Sequence, residues 1–310
     1  MAATLLPHPR PKPHSIHEYA GLAHPPHLSR LTHKPFVVEP LSIEVDDAQG
    51  GFVPGFLHLP PDILPAEERR RLGEGPQLLP PHHHRTAAIL LSGAGGGVAG
   101  PSAIYLSLAC KLATLGRGIP ALRLDYRYPG ACTGPCVRDA RAAMKYLRDA
   151  YGLERFVLVG WSYGSAVALD AALDDPRVVG CAVISSQTAG CEGVERLPPR
   201  PLLLLHGSAD GTLGVGCSRR LEGMYKEGEK RGGVKGGECV LHIFPEDDHL
   251  LRKNAQKAEE MLCEFVAKCA GVTVGEEERK EVVWQELMND DERMELMRKG
   301  GDLRSPERDE

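Results

Sequence analysis

Residues 156–174 read FVLVGWSYGSAVALDAALD, and the remainder of the chain is organised around this stretch. Residues 156–159 are apolar and predict a buried strand, and after Ser162 alanine, valine and leucine recur at helical spacing. The turn between them is residues 160–164, GWSYG. Its two glycines face each other where the chain doubles back, so a Cβ on either one would clash.

A Gly-x-Ser-x-Gly turn between a strand and a helix is typical of a nucleophile elbow, which holds a serine at a strained corner. The bare pattern also arises by chance, and a serine in an ordinary strand-to-helix turn is the alternative. The readable strand and helix favour the elbow. Ser162 is therefore the candidate nucleophile.

Composition bounds the class of protein. The chain has 310 residues, 42% hydrophobic and 25% charged, which predicts a globular protein of one large α/β domain or two small ones. No apolar stretch is long enough to predict a membrane span, and the first residues lack the apolar core that predicts a secretory signal. Nine cysteines, an odd number without a framework spacing, fit a reducing compartment. We expect a cytoplasmic protein, with organelle targeting by the N-terminus left open.

The two ends of the chain differ from its middle. Residues 1–35 hold seven prolines and almost no apolar periodicity, which predicts a disordered arm. Residues 272–310 predict a charged, partly helical tail, because residues 276–310 carry 13 acidic and 7 basic side chains. The remainder is nearly neutral, so no nucleic-acid surface is expected. The tail has an apolar stripe for packing on the domain, a sister subunit in a homodimer, or a protein partner: Val283, Trp284, Leu287, Met288 and Met297.

Histidines are frequent, but their spacing does not predict a metal site. Those in the arm are scattered among prolines, and the three adjacent residues 82–84 cannot all face one ion, so an exposed loop is favoured there. We therefore expect no metal site, and the chemistry of a serine nucleophile needs no organic cofactor. The arm histidines are His8, His14, His17, His24, His27 and His33.

The pattern from residue 36 to 271 alternates strands with helices. Residues 36–45 and 52–59 predict an antiparallel hairpin at a sheet edge. Later strands separated by helices predict a mostly parallel central sheet with helices on both faces, an α/β fold. The predicted later strands are 86–91, 120–124, 156–159, 178–184, 201–205 and 239–244, and the predicted helices include 103–115, one through Val137 and Leu147, and one through Ala255 and Cys269 that ends at Gly271.

A serine nucleophile needs a base and a carboxylate that fixes the base's tautomer. In open α/β sheets, such groups lie at the carboxyl ends of strands. Asp210 follows one strand in LLLLHGSAD, and His249 follows the next in FPEDDH. Asp247 and Asp248 are alternative acids but are poorly placed beside His249 in sequence. His206 and His242 are weaker bases, and Cys181 and Cys217 are assigned to the core or the surface.

The order Ser162, Asp210, His249 resembles that of the α/β-hydrolase fold, in particular the small lidless type of dienelactone-hydrolase-like proteins and serine esterases, over residues 36–271. The resemblance implies a serine nucleophile, a histidine base and an orienting acid at those three positions. It implies a carboxylesterase-like serine hydrolase that cleaves an ester, thioester or lactone through an acyl-enzyme. The alternatives are a non-catalytic ligand-binding or scaffold protein, and an acyltransferase or peptidase with the same residues.

The oxyanion of such a reaction needs two backbone N–H donors. Tyr163 follows the nucleophile at a helix start and is one candidate; Gly93 or Ala94, in the glycine-rich loop 92–97, is the other. This loop lacks the Lys-Ser/Thr ending of a phosphate loop, and Ser92 stands where the family commonly has histidine. Only 14 residues separate Ser186 from Pro201, too few for a lid domain. We expect an open cleft bordered by residues 95–101, 126–136 and 187–197, suited to small soluble esters.

Overall fold

Eight strands form one sheet in the computed structural model, which describes residues 16–31, 36–73, 84–130, 132–233 and 237–304. They are β1 (Val37–Glu44), β2 (Phe52–Leu59), β3 (Thr86–Leu91), β4 (Ala121–Leu124), β5 (Arg155–Trp161), β6 (Val178–Ile184), β7 (Leu202–Gly207) and β8 (Cys239–Phe244). Their order across the sheet is β1-β2-β4-β3-β5-β6-β7-β8. The hairpin β1–β2 is antiparallel and lies at the edge, β2 is antiparallel to β4, and the pairs from β4 to β8 are parallel. The predicted sheet is confirmed.

Helices cover both faces of the sheet because its central strands are apolar on both sides. In β5, Phe156 and Leu158 pack into the core with the helices Thr133–Tyr151 and Tyr163–Ala172, and Val157 and Val159 pack into the core with the helices Ile104–Thr114 and Ala255–Ala270. The helices are α1 (Ala66–Arg71), α2 (Ile104–Thr114), α3 (Thr133–Tyr151), α4 (Tyr163–Ala172), α5 (Gly216–Gly232), α6 (Ala255–Ala270), α7 (Glu276–Glu278) and α8 (Asp290–Gly300). Short 3₁₀ segments are Ile16–Leu22, Leu28–Arg30, Pro101–Ala103, Glu192–Arg196 and Arg252–Asn254. No helix in the described ranges combines the length and apolar character needed to cross a bilayer.

The N-terminal arm departs from the expectation of disorder over residues 16–31. Ile16, Tyr19 and Leu22 are each 2% exposed and pack into the core on the α2 and α6 face. Their spacing of three matches the 3₁₀ helix that they form, a period that a search for 3.6-residue helices passes over. His8, His14 and His33 lie outside the described residues.

Two further segments differ from the prediction. The loop expected at residues 60–85 contains α1, and within it His84 is half-buried, with its Nε2 3.0 Å from the Gly118 carbonyl oxygen. The other two histidines of that triplet lie outside the described residues. Helix α5 was missed because its charged sequence gives only two large buried side chains, Leu221 and Tyr225.

The C-terminal tail packs on the domain, which was one of the predicted possibilities. A π-helical turn, Arg279–Val283, connects α7 to the segment before α8. Trp284 is the exception in the predicted stripe, with 43% of its surface exposed. The buried members, each fully covered, are Val283, Leu287, Met288 and Met297.

Candidate active site

Ser162 occupies the corner between β5 and α4. Its backbone has φ 54° and ψ −119°, a strained conformation for a residue with a Cβ. A Cβ on Gly160 would lie 2.3 Å from the Gly164 carbonyl oxygen, and a Cβ on Gly164 would lie 2.3 Å from that of Leu91. Both glycines are therefore required by the tight contacts that surround the corner.

Asp210 and His249 meet at the same edge of the sheet. Asp210 follows β7, and His249 follows the neighbouring strand β8. The Nδ1 atom of His249 lies 2.8 Å from the Oδ2 atom of Asp210, a hydrogen bond between two side chains 39 residues apart. The exposed fractions are 8% for Asp210 and 7% for His249, so the pair is largely shielded from water.

His249 is also held beside the serine corner. The indole Nε1 of Trp161 donates a hydrogen bond of 3.2 Å to the His249 carbonyl oxygen. The two rings are 5.6 Å apart between centroids. Since Trp161 directly precedes Ser162, which is 4% exposed, these contacts bring the candidate nucleophile, base and acid into one region.

The loop after β3 passes directly beside this corner. Leu91 pairs with Gly160 in the parallel ladder between β3 and β5, and a Cβ on Gly164 would lie 2.4 Å from the Ser92 carbonyl oxygen. Gly93 and Ala94 come next in the chain, on the side of the sheet edge where Tyr163 begins α4. The candidate oxyanion donors thus come from adjacent elements.

Comparison with known proteins agrees with this architecture. A family model described as the alpha/beta hydrolase fold matches residues 75–216. A putative α/β-hydrolase of unknown function from Agrobacterium tumefaciens is 17% identical, with a TM-score of 0.55, over 78% of this chain and 100% of the other. A dienelactone hydrolase from Anabaena variabilis is 16% identical, with a TM-score of 0.52, over 76% and 99%. A serine hydrolase without a lid from Xanthomonas campestris is 15% identical, with a TM-score of 0.50, over 76% and 97%. No curated protein matches the sequence.

The chain has the α/β-hydrolase fold. This confirms the predicted fold class and the resemblance to lidless α/β-hydrolases. The connection from β6 to β7 holds only the short 3₁₀ segment Glu192–Arg196, in agreement with the expected absence of room for a lid at that point.

Asp210 has a second histidine partner, His206, which the sequence analysis considered only as a weaker base. His206 is fully buried, and its Nε2 lies 3.1 Å from Asp210 Oδ2 and 2.8 Å from the Leu213 carbonyl oxygen. Both neighbours are acceptors, so Nε2 carries the hydrogen and donates. Its Nδ1 lies 2.7 Å from the Ser218 hydroxyl oxygen. The motif HGSAD therefore supplies both an acid and a side chain that holds it.

These contacts determine the charge of Asp210. Burial raises the pKa of its carboxyl group, but hydrogen bonds from His206 and His249, together with backbone N–H groups, outweigh that effect and place the pKa well below its ordinary value. The Oδ1 atom accepts from the N–H groups of Thr212 at 2.9 Å and Leu213 at 2.7 Å. Asp210 is therefore a carboxylate at neutral pH.

The alternative acids, Asp247 and Asp248, accept hydrogen bonds from nearby backbone N–H groups. Asp247 is fully buried and accepts from the N–H groups of Lys253 at 3.1 Å and Asn254 at 3.0 Å. Asp248 accepts from the N–H groups of Leu250 and Arg252. Both carboxylates shape the turn that carries His249. This supports Asp210 as the orienting acid.

Other predicted side chains lie elsewhere. His242 packs edge-on against Phe244 within β8, with ring centroids 4.4 Å apart. Cys181 is buried in β6, and Cys217 is half-buried in α5. All nine cysteines are free thiols. Among the described residues, no group of three or more His, Cys, Asp or Glu side chains is arranged to hold a metal ion.

One border of the expected cleft is different. Residues 95–101 are buried rather than open, because the C-terminal residues Asp302 and Arg304 lie against them. The other two expected borders include surface positions, such as Tyr128, 43% exposed, and Gln187, half-buried. The sequence analysis missed this contact between the tail and the glycine-rich loop.

Proposed function

We propose that this protein is a serine hydrolase that cleaves a carboxylic ester, thioester or lactone through an acyl-enzyme, with no cofactor. The observation that carries the proposal is the 2.8 Å contact between Asp210 and His249 beside a strained serine corner. Ser162 is the proposed nucleophile, His249 the general base and Asp210 the acid that orients the base.

The chemistry follows from the tautomer of His249. Because its Nδ1–H donates to Asp210, the lone pair of the neutral ring is on Nε2. Nε2 takes the Ser162 proton as the serine oxygen bonds to the substrate carbonyl carbon. The tetrahedral intermediate then collapses, and the imidazolium gives its proton to the leaving oxygen or sulfur. Nε2 then takes a proton from water as the water oxygen bonds to the acyl carbon. The second tetrahedral intermediate collapses by breaking the bond to the Ser162 oxygen, which takes the proton back from the imidazolium as the acid is released.

Two charges develop during each step. The imidazolium of His249 forms next to an ionised Asp210, which stabilises it. The oxyanion is proposed to accept from the backbone N–H of Tyr163, at the positive end of the α4 dipole, and from that of Gly93 or Ala94. Both donors are backbone groups, so truncating the Tyr163 or Ala94 side chain does not remove them.

An ester-type bond is favoured by the surroundings of Ser162. The short β6–β7 connection leaves no lid segment to give interfacial activation. The solved structures with this fold include a dienelactone hydrolase and a lidless serine hydrolase. A carboxylesterase-like activity on small soluble substrates is therefore the proposed specificity.

The first test is covalent labelling by a fluorophosphonate probe, with p-nitrophenyl esters of rising chain length as substrates. Wild-type protein should be labelled and should hydrolyse the short esters, and Ser162→Ala should lose labelling and about 10⁴-fold or more of its activity. Ser165→Ala is the matched control, because this hydroxyl bonds to the Gly160 carbonyl oxygen at 3.1 Å inside the corner. It should remain labelled.

The outcomes separate the alternatives. A folded wild-type protein that stays unlabelled would favour the non-catalytic ligand-binding or scaffold protein. Labelling without ester hydrolysis, but with ester formation when an acceptor alcohol is added, would favour an acyltransferase. Faster cleavage of matched anilides than of esters would favour a peptidase. A role of the tail in a homodimer or with a protein partner stays a prediction.

A further inference from the structure

The buried end of the C-terminal tail is bound to the loop that follows β3. Asp302 is fully buried, and its Oδ1 accepts from the Ser92 hydroxyl at 3.0 Å and from the Gly100 N–H at 2.7 Å. Its Oδ2 accepts from the Ala99 N–H at 2.9 Å. One carboxyl group thus binds both ends of the loop, at Ser92 and Gly100, which precede it in the chain by 210 and 202 residues.

A second carboxylate holds the middle of the same loop. Asp125, after β4, accepts from the Gly97 N–H at 2.9 Å. Its other oxygen accepts from the Tyr19 hydroxyl at 2.8 Å and lies 3.3 Å from Arg304 Nη1. Arg304 also donates to the Tyr19 hydroxyl oxygen. Residues from both ends of the chain therefore fix one glycine-rich loop.

The loop is shaped to receive the tail. A Cβ on Gly97, whose φ is 105°, would lie 2.5 Å from Asp302 Cγ, and a Cβ on Gly95 would lie 2.6 Å from the Arg304 carbonyl oxygen. Glycine-rich backbone loses more conformational entropy on ordering than any other. Without the contacts from the tail, fewer hydrogen bonds fix the orientation of the backbone N–H groups in this loop.

The tail also reaches the segment that carries the proposed base. Arg293 in α8 donates to the Ser102 carbonyl oxygen at 3.0 Å, and the Ser102 hydroxyl donates to the Leu250 carbonyl oxygen at 2.8 Å. Leu250 directly follows His249. Ser102 and Ala103 have φ values of 43° and 51°, a strained pair that persists only where surrounding contacts determine it.

We propose that Asp302 is a positioning residue for ester hydrolysis, which holds the loop 92–103 so that the N–H of Gly93 or Ala94 faces the developing oxyanion. This inference rests on the function proposed above. Asp302 does not touch substrate; it acts on the loop through hydrogen bonds from two backbone N–H groups and from the Ser92 hydroxyl. Because oxyanion donors are used in the transition state, its loss should lower kcat and leave KM nearly unchanged.

The test compares Asp302→Asn with wild type in p-nitrophenyl acetate hydrolysis and in inhibition by a trifluoromethyl ketone, whose hemiketal oxygen occupies the oxyanion position. In either orientation the amide nitrogen cannot accept from its neighbours, so at least one bond to the loop is lost. Removing one oxyanion donor costs about 10²–10³-fold in kcat, so a misplaced donor should cost about 10–100-fold. The inhibition constant should rise by the same factor.

Two further variants separate positioning from general instability. Met288→Ala truncates a fully buried apolar side chain of the same tail and removes none of the hydrogen bonds to the loop described above; it should lower the melting temperature and leave kcat and the inhibition constant within about twofold. Ser92→Ala removes one of the three donors to Asp302 and should lower kcat by a few-fold. If Asp302→Asn fails to fold, Ser92→Ala decides.

Two results would overturn the inference. The first is a folded Asp302→Asn variant, or Ser92→Ala if Asp302→Asn does not fold, that has the kcat and inhibition constant of wild type. The second is a loss of kcat in Met288→Ala as large as that in Asp302→Asn. Failure of the proposed function looks different, because wild type itself would then be unlabelled by fluorophosphonate and inactive on every ester.

Discussion

Asp210 and Asp302 are both buried carboxyl groups near the candidate active site, and both accept two backbone N–H bonds, yet their pKa values move in opposite directions. Burial raises both. At Asp210 the hydrogen bonds from two imidazole rings outweigh burial and lower the pKa. At Asp302 the bonds from Ala99, Gly100 and Ser92 do not, and burial, helped by the nearby Asp125 carboxylate, raises the pKa to about 7. The partners, rather than the burial, decide the charge.

The difference separates two ways in which a buried acid assists a reaction. Asp210 is positioned to supply negative charge to His249, so its role depends on ionisation. Asp302 fixes a backbone loop, so its role depends on the number of acceptor lone pairs that it offers. An amide in place of each carboxyl group tests this contrast, because it keeps the shape and removes the charge.

The largest effect is expected for Asp210→Asn. The amide cannot balance the imidazolium of His249 and favours the wrong ring tautomer, so kcat for p-nitrophenyl acetate should fall by roughly 10⁴-fold. Circular dichroism should show an unchanged fold. Asp248→Asn is the control, since this carboxylate bonds to the Leu250 and Arg252 N–H groups and not to the His249 ring; it should lose less than tenfold. A larger loss of kcat in Asp248→Asn would argue against Asp210 as the acid that orients His249.

The sequence predicts the Asp210 side of this comparison well. Ser162, Asp210 and His249 each follow an apolar strand, and the ends of neighbouring parallel strands meet at one edge, so order and strand position suffice to bring them together. The partner role of His206 was within reach of the same reasoning, because it lies in β7 four residues before the acid.

The Asp302 side was not predictable from the sequence in the same way. Asp302 is one of 13 acidic residues in the last 35, and neither spacing nor composition distinguishes the one that is buried. Tyr19 lies in a proline-rich segment whose apolar residues follow a period of three. Both make contacts across more than 100 residues, which local patterns do not encode. The fold of the sheet can therefore be predicted from the sequence, whereas the contacts by which the two chain ends fix the glycine-rich loop cannot.

A smaller effect is expected when Asp210 loses its second imidazole. His206→Leu removes the donor to Asp210 and leaves the Ser218 hydroxyl and Leu213 carbonyl without that partner, so we expect about tenfold lower kcat and a loss of stability of about 1–3 kcal/mol. His206→Gln keeps an N–H donor and should recover most of kcat. Steady-state kinetics and urea unfolding measure both. Equal kcat in the leucine variant and wild type would confine His206 to a structural role.

The smallest effect is the contribution of Asp302 to the pH dependence of stability. Its pKa is about 7 when folded against an ordinary 3.8, so between these values the folded protein keeps a proton that the unfolded chain has lost. The contribution of Asp302 to the free energy of unfolding should then fall as pH rises from about 4 to 7 and level off above. Asp210 has the opposite sign, since its lowered pKa adds stability that is lost only as pH falls below about 4.

Urea unfolding of wild type and Asp302→Asn at pH 5 and pH 8 isolates this contribution, because the other titrating groups are common to both proteins. These groups include Asp125, Arg123 and Tyr105, which interact electrostatically with Asp302. At about 1.4 kcal/mol per pKa unit, wild type should lose about 1–3 kcal/mol more than the variant between the two pH values. An identical loss in both proteins would mean that Asp302 is ionised throughout, and the contrast with Asp210 would then be one of geometry alone.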